Sequence, residues 1–150
     1  MLQYRRVSIL KNIYLLDTNI ISQVTKPEPS EKLFTSLELH SGTCVISSIT
    51  WYELKNGIQL LEPGAKREKL QTFLTDYVQP SFPVIPYDIH AASINADITS
   101  RLLSIGKPTP ILETQIASIA IANNLILVTN NTKDFMIFQE HFNLMIEDWS

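Results

Sequence analysis

Four acidic residues have the type and the positions along the chain that metal-assisted chemistry requires. They are Asp17, Glu53, Glu113 and Asp134. Each lies beside a predicted strand end or helix start; Asp17, for example, directly follows the apolar run 13–16. Because residues just past the carboxyl ends of parallel strands meet in one crevice of an open sheet, we expect these carboxylates to lie close together.

Carboxylates that gather in one crevice repel each other, and the arrangement is unfavourable unless a cation offsets their charge. A site whose donors are all oxygen atoms suits Mg²⁺ or Mn²⁺. The four acids therefore predict a divalent metal site and metal-assisted chemistry on an anionic substrate.

Each acid also has a purely structural interpretation. Asp17 could cap the helix that follows it, and Glu53 lies three residues after Thr50, which is the spacing of a capping box. Glu113 falls in the first turn of its predicted helix, where a carboxylate complements the helix dipole. Asp134 could cap a short helix through residue 138. These interpretations account for each acid separately. They do not explain why all four acids lie beside a predicted strand end or helix start.

The elements that must position the acids alternate along the chain. Solid apolar runs predict strands at 13–16, 43–47, 82–85, 125–129 and 144–146. Helical spacing and capping residues predict helices at 20–24, 30–39, 49–61, 65–78, 88–105 and 110–124, with Pro110 at the first helical position. Strands that are apolar throughout and alternate with helices indicate a mostly parallel sheet of four to five strands, covered on both faces. The fold class is a three-layer α/β/α domain.

Composition limits the cellular setting and the number of domains. The chain has 150 residues, 45% of them hydrophobic and 18% charged, which fits one globular domain. Its single cysteine, Cys44, cannot form an internal disulfide, and this favours a reducing, cytoplasmic setting. No stretch is long and apolar enough to cross a bilayer, so we expect a soluble protein without a membrane partner.

The charge distribution counts only in part against a nucleic-acid substrate. The net charge is −3, whereas nucleic-acid-binding proteins usually present a basic surface. Bound divalent cations would invert the local field at an acidic site. Basic residues also cluster at Lys66, Arg67 and Lys69.

Other chemistries find less support in the sequence. His40, His90 and His141 are scattered and have no serine or cysteine in a recognisable nucleophile elbow. There is no glycine-rich phosphate loop. A phosphatase of the haloacid-dehalogenase type would need a second Asp where this chain has Asn19, and the acid pattern of receiver domains is absent.

Four segments, in order and at suitable spacing, resemble the motifs of PIN-domain proteins, with the closest likeness to VapC-type toxins of bacterial toxin–antitoxin pairs. Residues 14–22 resemble the opening motif, 47–57 the second, 106–117 the third and 128–135 the fourth. The resemblance implies a PIN-like domain over residues 13–150, preceded by an N-terminal extension over residues 1–12.

The resemblance also implies a function, that of a metal-dependent endoribonuclease. Its metal ligands would be Asp17, Glu53, Glu113 and Asp134, which hold one or two Mg²⁺ or Mn²⁺ ions, Glu53 also serving to position water. Residues that hydrogen-bond these carboxylates or contact phosphate oxygens would be Asn19, Thr129, Asn130 and Asn131. Lys55, Lys107 and Lys133 are nearby cations for RNA. The implied partners are an RNA substrate, a second copy in a homodimer, and a small antitoxin whose C-terminal segment blocks the acidic groove.

One position departs from the family pattern, because the third acid is normally Asp and here is Glu113. One extra methylene moves the carboxylate by ~1.5 Å, and misplacements near ~1 Å can cost ~10²-fold in rate. Two alternatives remain open: an active ribonuclease, or a catalytically weak or silent PIN-like binding module. Glutamate keeps the charge and the ligand type, which favours activity. DNA cleavage by a related fold is a third alternative, which the short chain disfavours.

Overall fold

The computed structural model describes residues 11–150, which form a single parallel sheet with helices on both faces. The strands are β1 (Tyr14–Leu16), β2 (Cys44–Ser47), β3 (Val84–Ile85), β4 (Ile126–Val128) and β5 (Ile146–Glu147). They lie in the order β3-β2-β1-β4-β5, and every neighbouring pair is parallel. The predicted α/β/α fold is confirmed, and the fifth strand begins two residues later than its sequence pattern indicated.

Eight α-helices occur within the described residues. They are α1 (Thr18–Val24), α2 (Glu31–Leu39), α3 (Ser48–Gln59), α4 (Ala65–Phe73), α5 (Gln79–Ser81), α6 (Ile89–Ser104), α7 (Ile111–Ala122) and α8 (Thr132–Phe142). A π-helical stretch, Leu74–Val78, joins α4 to α5. The helical segment therefore continues to Ser81, and the strand predicted at 82–85 is shortened to Val84–Ile85.

The solid apolar runs of the strands follow from having a hydrophobic core on each side of the sheet. Leu15 and Leu127 point into a core that also contains apolar residues of α6, α7 and α8. Leu16 and Val128 point into the opposite core, with residues of α1, α2 and the π-helical stretch. Because successive side chains of a strand point to opposite faces, a strand covered on both faces needs apolar residues at every position.

Strand order places a topological switch point between β1 and β4. From the central β1 the chain runs outward through β2 and β3, then returns to the other side of β1 as β4 and β5. The crevice beyond the carboxyl ends of β1 and β4 is where open α/β sheets bind ligands. Asp17 directly follows β1, and Thr129 directly follows β4.

Helix starts confirm two predicted caps and correct two other expectations. Ser30 caps α2 and Asp88 caps α6, as their sequences predict. The N-cap of α3 is Ser47, whose hydroxyl accepts the Thr50 N–H at 3.0 Å, and this excludes the alternative in which Thr50 and Glu53 form a capping box. Pro110 is the N-cap of α7 and not its first helical residue, because its ψ of 145° is extended.

The boundary predicted at residue 12 stays a prediction. Residues 1–10 lie outside the described part of the chain, and the next two, Lys11 and Asn12, are exposed coil before β1. Between residues 11 and 150, no helix has the length and hydropathy that a membrane span needs.

Candidate active site

Asp17 is buried at the end of β1 and has defined hydrogen-bond partners for both carboxylate oxygens. Its side chain is 6% exposed. Oδ1 accepts the backbone N–H of Thr18 at 2.8 Å and thereby caps α1. Oδ2 accepts the side-chain amide of Asn19 and the hydroxyl of Thr129, each at 2.8 Å. Helix capping therefore accounts for only one of the two oxygens, while the other is held by groups from both sides of the switch point.

The environment of Asp17 disfavours its charge on balance. Burial raises the pKa of Asp17 above its ordinary value, and the hydrogen bonds from Thr129 and Thr18 act in the opposite direction. The negative charge of Glu113 raises this pKa further, against the Asn19 amide, which lowers it. A buried carboxylate beside another carboxylate is the arrangement that a bound cation would stabilise.

Glu53 projects from α3 towards the same crevice and is fixed by the residue after Asp17. The hydroxyl of Thr18 donates to Glu53 Oε1 at 2.8 Å and also lies 3.1 Å from the hydroxyl of Thr50. Burial raises the pKa of Glu53, the Thr18 hydrogen bond lowers it, and the charges of Asp17 and Glu113 raise it. Glu53 is thus part of an acidic site. It does not have the capping role that its spacing from Thr50 suggested.

Glu113 and Asp134 enter the crevice from the first turns of α7 and α8. Glu113 is half-buried and Asp134 is exposed. Within residues 11–150, the hydrogen bonds that reach the four carboxylates are those of Asp17 and Glu53. The other two carboxylates are therefore free to change rotamer.

All four predicted acids line one cavity of about 320 Å³ at the switch point. In the described residues, however, no three acidic, histidine or cysteine side chains lie close enough together to hold one metal ion. The donor chemistry of the cavity fits Mg²⁺ or Mn²⁺, since every charged donor is a carboxylate. Direct ligation by three of them requires side-chain movement, which the exposure of Asp134 and the partial exposure of Glu113 permit.

The predicted polar partners of the acids lie around the same cavity. Thr129 is fully buried and, besides bonding Asp17, accepts the backbone N–H of Asn131 at 3.0 Å. The carbonyl oxygen of the Asn19 side chain accepts the Asn130 N–H at 3.3 Å. Asn19, Asn130 and Asn131 all line the cavity. Asn19 therefore links the β1 end of the crevice to the β4 end.

Three lysines expected to contact RNA lie outside the lining of this cavity. None of Lys55, Lys107 and Lys133 lines the cavity, and Lys55 donates instead to Gln71 Oε1 at 2.9 Å. Of the described residues, Lys26 is the only cation in the cavity wall.

Sequence reasoning missed both Lys26 and Thr18. Asn19, Ser22 and Gln23 line the cavity from one side of α1, and Lys26 lies two residues beyond the end of that helix.

The sequence matches the PIN domain over residues 14–138, a span that contains all four acids. This chain belongs to the PIN-domain family. It is 34% identical over 124 residues to Toxin FitB from Neisseria gonorrhoeae, covering 81% of this chain and 89% of that protein. It is 32% identical over 137 residues to the tRNA(fMet)-specific endonuclease VapC from Shigella flexneri, covering 91% of this chain and 98% of that protein.

Solved structures agree with this assignment. This PIN domain superposes on a chain of VapBC2 from Rickettsia felis with a TM-score of 0.78 and 28% identity. That structure was solved with VapBC2 bound to a DNA fragment from its promoter. The match covers 92% of this chain and 99% of that chain. The resemblance to PIN-domain proteins of the VapC type, noted from four sequence motifs, is thus confirmed at the level of sequence and of fold.

Proposed function

We propose that this PIN-domain protein is a metal-dependent endoribonuclease and the toxin of a toxin–antitoxin pair. The observation that carries the proposal is the cavity at the switch point, where buried Asp17 is held by three hydrogen bonds and shares the wall with three other carboxylates. RNA as the substrate class is supported by the relatives, one of which is named as a tRNA-specific endonuclease.

Asp17, Glu113 and Asp134 would hold one or two Mg²⁺ or Mn²⁺ ions. Glu53 would be an additional, more weakly engaged ligand or would bind through water. A bound divalent ion lowers the pKa of a water molecule and offsets the charge of a phosphodiester. The carboxylate donors and the burial of Asp17 support this assignment, because a buried charge without a counter-ion is unfavourable.

The side chains of this protein would then have distinct roles. Thr129 and Asn19 fix the orientation of Asp17 through its Oδ2 atom, and fixed orientation of this kind tunes a metal site. Glu53 is held by Thr18 and would help to hold a metal ion or to position the attacking water. The apolar side chains of Ile116 and Phe135 line part of the wall and limit the water around the reacting groups.

Glu113 need not silence the enzyme. Its side chain starts in the first turn of α7 and is half-buried, so it can change rotamer to absorb the extra methylene that separates it from the Asp of the family pattern. The silent binding module remains the second candidate, and it rests on this one substitution.

Partners follow from the proposal and from the solved relatives. The similar Rickettsia felis structure is a VapBC2 complex, which supports an antitoxin partner for this chain. An Arg or Lys of such a partner would pair with the carboxylates of the cavity. A homodimer is supported by exposed apolar side chains around the end of α6 and the start of α7, namely Leu103, Ile105 and Ile111.

The test is cleavage of total bacterial RNA by antitoxin-free protein in Mg²⁺, in Mn²⁺ and in EDTA. We expect discrete fragments that require the metal and that disappear with Asp17→Asn. Failure of both the folded wild-type protein and Glu113→Asp to cleave RNA in either metal would reject the nuclease. Cleavage by Glu113→Asp alone would identify a nuclease silenced at one position.

A further inference from the structure

Thr50 and Glu53 lie three residues apart on α3, a spacing that the start of the helix does not explain, because Ser47 is the N-cap. Side chains three residues apart on a helix lie on the same face. Here that face meets the start of α1, where the Thr18 hydroxyl lies 3.1 Å from the Thr50 hydroxyl and 2.8 Å from Glu53 Oε1. The spacing therefore brings a hydroxyl and a carboxylate of α3 to one side chain of α1.

The number of available hydrogen atoms fixes the direction of these two hydrogen bonds. A threonine hydroxyl donates one hydrogen, and an ionised carboxylate has none to donate. The Thr18 hydroxyl therefore donates to Glu53, and its oxygen accepts the hydrogen of the Thr50 hydroxyl. Thr50 is fully buried, and among the described residues Thr18 is the only partner of its hydroxyl. This contact is maintained because a buried hydroxyl without a partner is costly.

Thr18 also contacts the buried acid at the end of β1. Its backbone N–H donates to Asp17 Oδ1 at 2.8 Å. One residue thus holds Asp17 through its main chain and Glu53 through its side chain, although the two acids belong to different elements. Thr50 is itself held, since its N–H donates to the hydroxyl of the fully buried Ser47 at 3.0 Å. It is therefore a fixed point against which Thr18 is placed.

We propose that Thr50 is a positioning residue of the acidic cavity. Its hydroxyl orients Thr18, and Thr18 in turn sets the relative placement of the Asp17 and Glu53 carboxylates. Thr50 does not line the cavity, so it acts through Thr18 and touches neither metal nor RNA. This inference rests on the proposed metal-dependent function, because it gives Thr50 a part in holding the metal ligands. Removal of groups that orient metal ligands typically costs ~10–100-fold in metal affinity or activity.

Two variants of Thr50 separate the hydroxyl from the shape of the side chain. Thr50→Val removes the hydroxyl and keeps nearly the same shape, whereas Thr50→Ser keeps the hydroxyl. We expect Thr50→Val to weaken Mn²⁺ binding and to lower the single-turnover cleavage rate, each by about tenfold, with KM for RNA unchanged. Thr50→Ser should recover most of both losses. The matched control is Ser118→Ala, which removes a fully buried hydroxyl that donates to the Thr114 carbonyl outside the cavity lining.

The measurements are calorimetric titration of the RNA-free proteins with Mn²⁺ and single-turnover cleavage, and thermal unfolding shows which variants are folded. A double-mutant cycle with Thr18→Val distinguishes an indirect role of Thr50 from a direct one. If Thr50 acts through Thr18, adding Thr50→Val to Thr18→Val should cause no further loss of Mn²⁺ affinity or of rate.

Three results would overturn the proposal. They are Thr50→Val equal to Ser118→Ala in both measurements, Thr50→Ser as defective as Thr50→Val, and losses that multiply in the double variant. If Thr50→Val does not fold, Thr18→Val removes the same contact from its less buried side. A weaker Mn²⁺ affinity of that variant would support the proposal, and an unchanged affinity would overturn it.

Failure of the proposed function gives a different result. A wild-type protein that binds Mn²⁺ but cleaves no RNA would reject the ribonuclease, and the Mn²⁺ titrations would still decide the role of Thr50.

Discussion

The two halves of the acidic cavity are built differently. In the fixed half, Asp17 and Glu53 are hydrogen-bonded by Thr18, Asn19 and Thr129 at the ends of β1 and β4. In the open half, Glu113 and Asp134 project from helix first turns, and no hydrogen bond from residues 11–150 reaches their carboxylates. The difference indicates that one half is preorganised and that the other can adjust to what it binds.

Burial explains why the halves differ. A carboxylate that is 6% exposed, as Asp17 is, must be compensated by hydrogen bonds, because leaving it unpaired away from water is costly. An exposed carboxylate such as Asp134 is solvated by water and needs no protein donor. Substitutions in the fixed half should therefore affect both stability and activity, whereas substitutions in the open half should affect activity alone.

The largest effect should come from Asp17→Asn. We expect RNA cleavage to fall on the order of 10²–10³-fold, the scale of removing one electrostatic contact from an active site. The protein should still fold, because asparagine caps helices about as well as aspartate, but with a lower free energy of unfolding, because its amide nitrogen cannot accept the hydrogen bonds of Asn19 and Thr129. Cleavage rate and thermal unfolding are the measurements, with Asp88→Asn at the cap of α6 as the control. An Asp17→Asn protein as active as Asp88→Asn would contradict the assigned role.

Exchanging the lengths of the carboxylate side chains compares the two halves directly. Asp17→Glu should lower the cleavage rate by about 10²-fold, because ~1 Å of misplacement is not absorbed in a fixed site. Glu113→Asp should change the rate by less than about tenfold in either direction, because the open half can adjust. Single-turnover rates in Mg²⁺ and Mn²⁺ would measure both. If the two exchanges have equal effects, the distinction between the halves is wrong.

Thr129→Val tests the support of the fixed half with a side chain of nearly the same shape. Asp17 would lose one donor, so the free energy of unfolding should fall by about 1.5–3 kcal/mol, the range for a hydrogen bond to a charged group. Cleavage should drop by ~10–100-fold, as for residues that orient metal ligands. Urea denaturation and cleavage assays measure these changes. The exposed Thr72→Val serves as control, and an unchanged stability for Thr129→Val would remove the support role.

The smallest effect concerns pH, and it has opposite signs for stability and activity. The folded protein binds protons at Asp17 at a higher pH than the unfolded chain does, because burial raises the pKa of this group. As the pH falls from neutral through that raised pKa, the contribution of Asp17 to folding stability should increase. Activity, measured with metal, should also decrease on acidification but at a lower pH, because a bound cation favours the ionised carboxylate.

Parallel pH series of denaturation and of single-turnover cleavage would measure the two trends. Asp17→Asn should flatten the stability curve relative to wild type. If mild acidification lowers the stability of the wild-type protein as much as that of Asp17→Asn, the sign derived for Asp17 is wrong.

Much of the fold was predictable because its signals are local. The apolar runs that became β1, β2 and β4 are read from consecutive residues, and Ser30 and Asp88 satisfy nearby backbone groups of their own helices. The four acids were also found from local signals, since each adjoins an element boundary. Their gathering in one cavity followed from the rule for parallel strand ends.

Only the tertiary structure decided which groups touch. Thr18 bonds Glu53 across 35 positions of sequence and Thr129 bonds Asp17 across 112. No pattern in either neighbourhood specifies those pairs, because they depend on strand order and on how α1 and α3 pack. For the same reason the sequence pointed to Lys55, which donates to Gln71, and did not mark Lys26, which lines the acidic cavity. The sequence by itself determined the elements and the acids, whereas packing determined which of those acids are fixed and which are free to move.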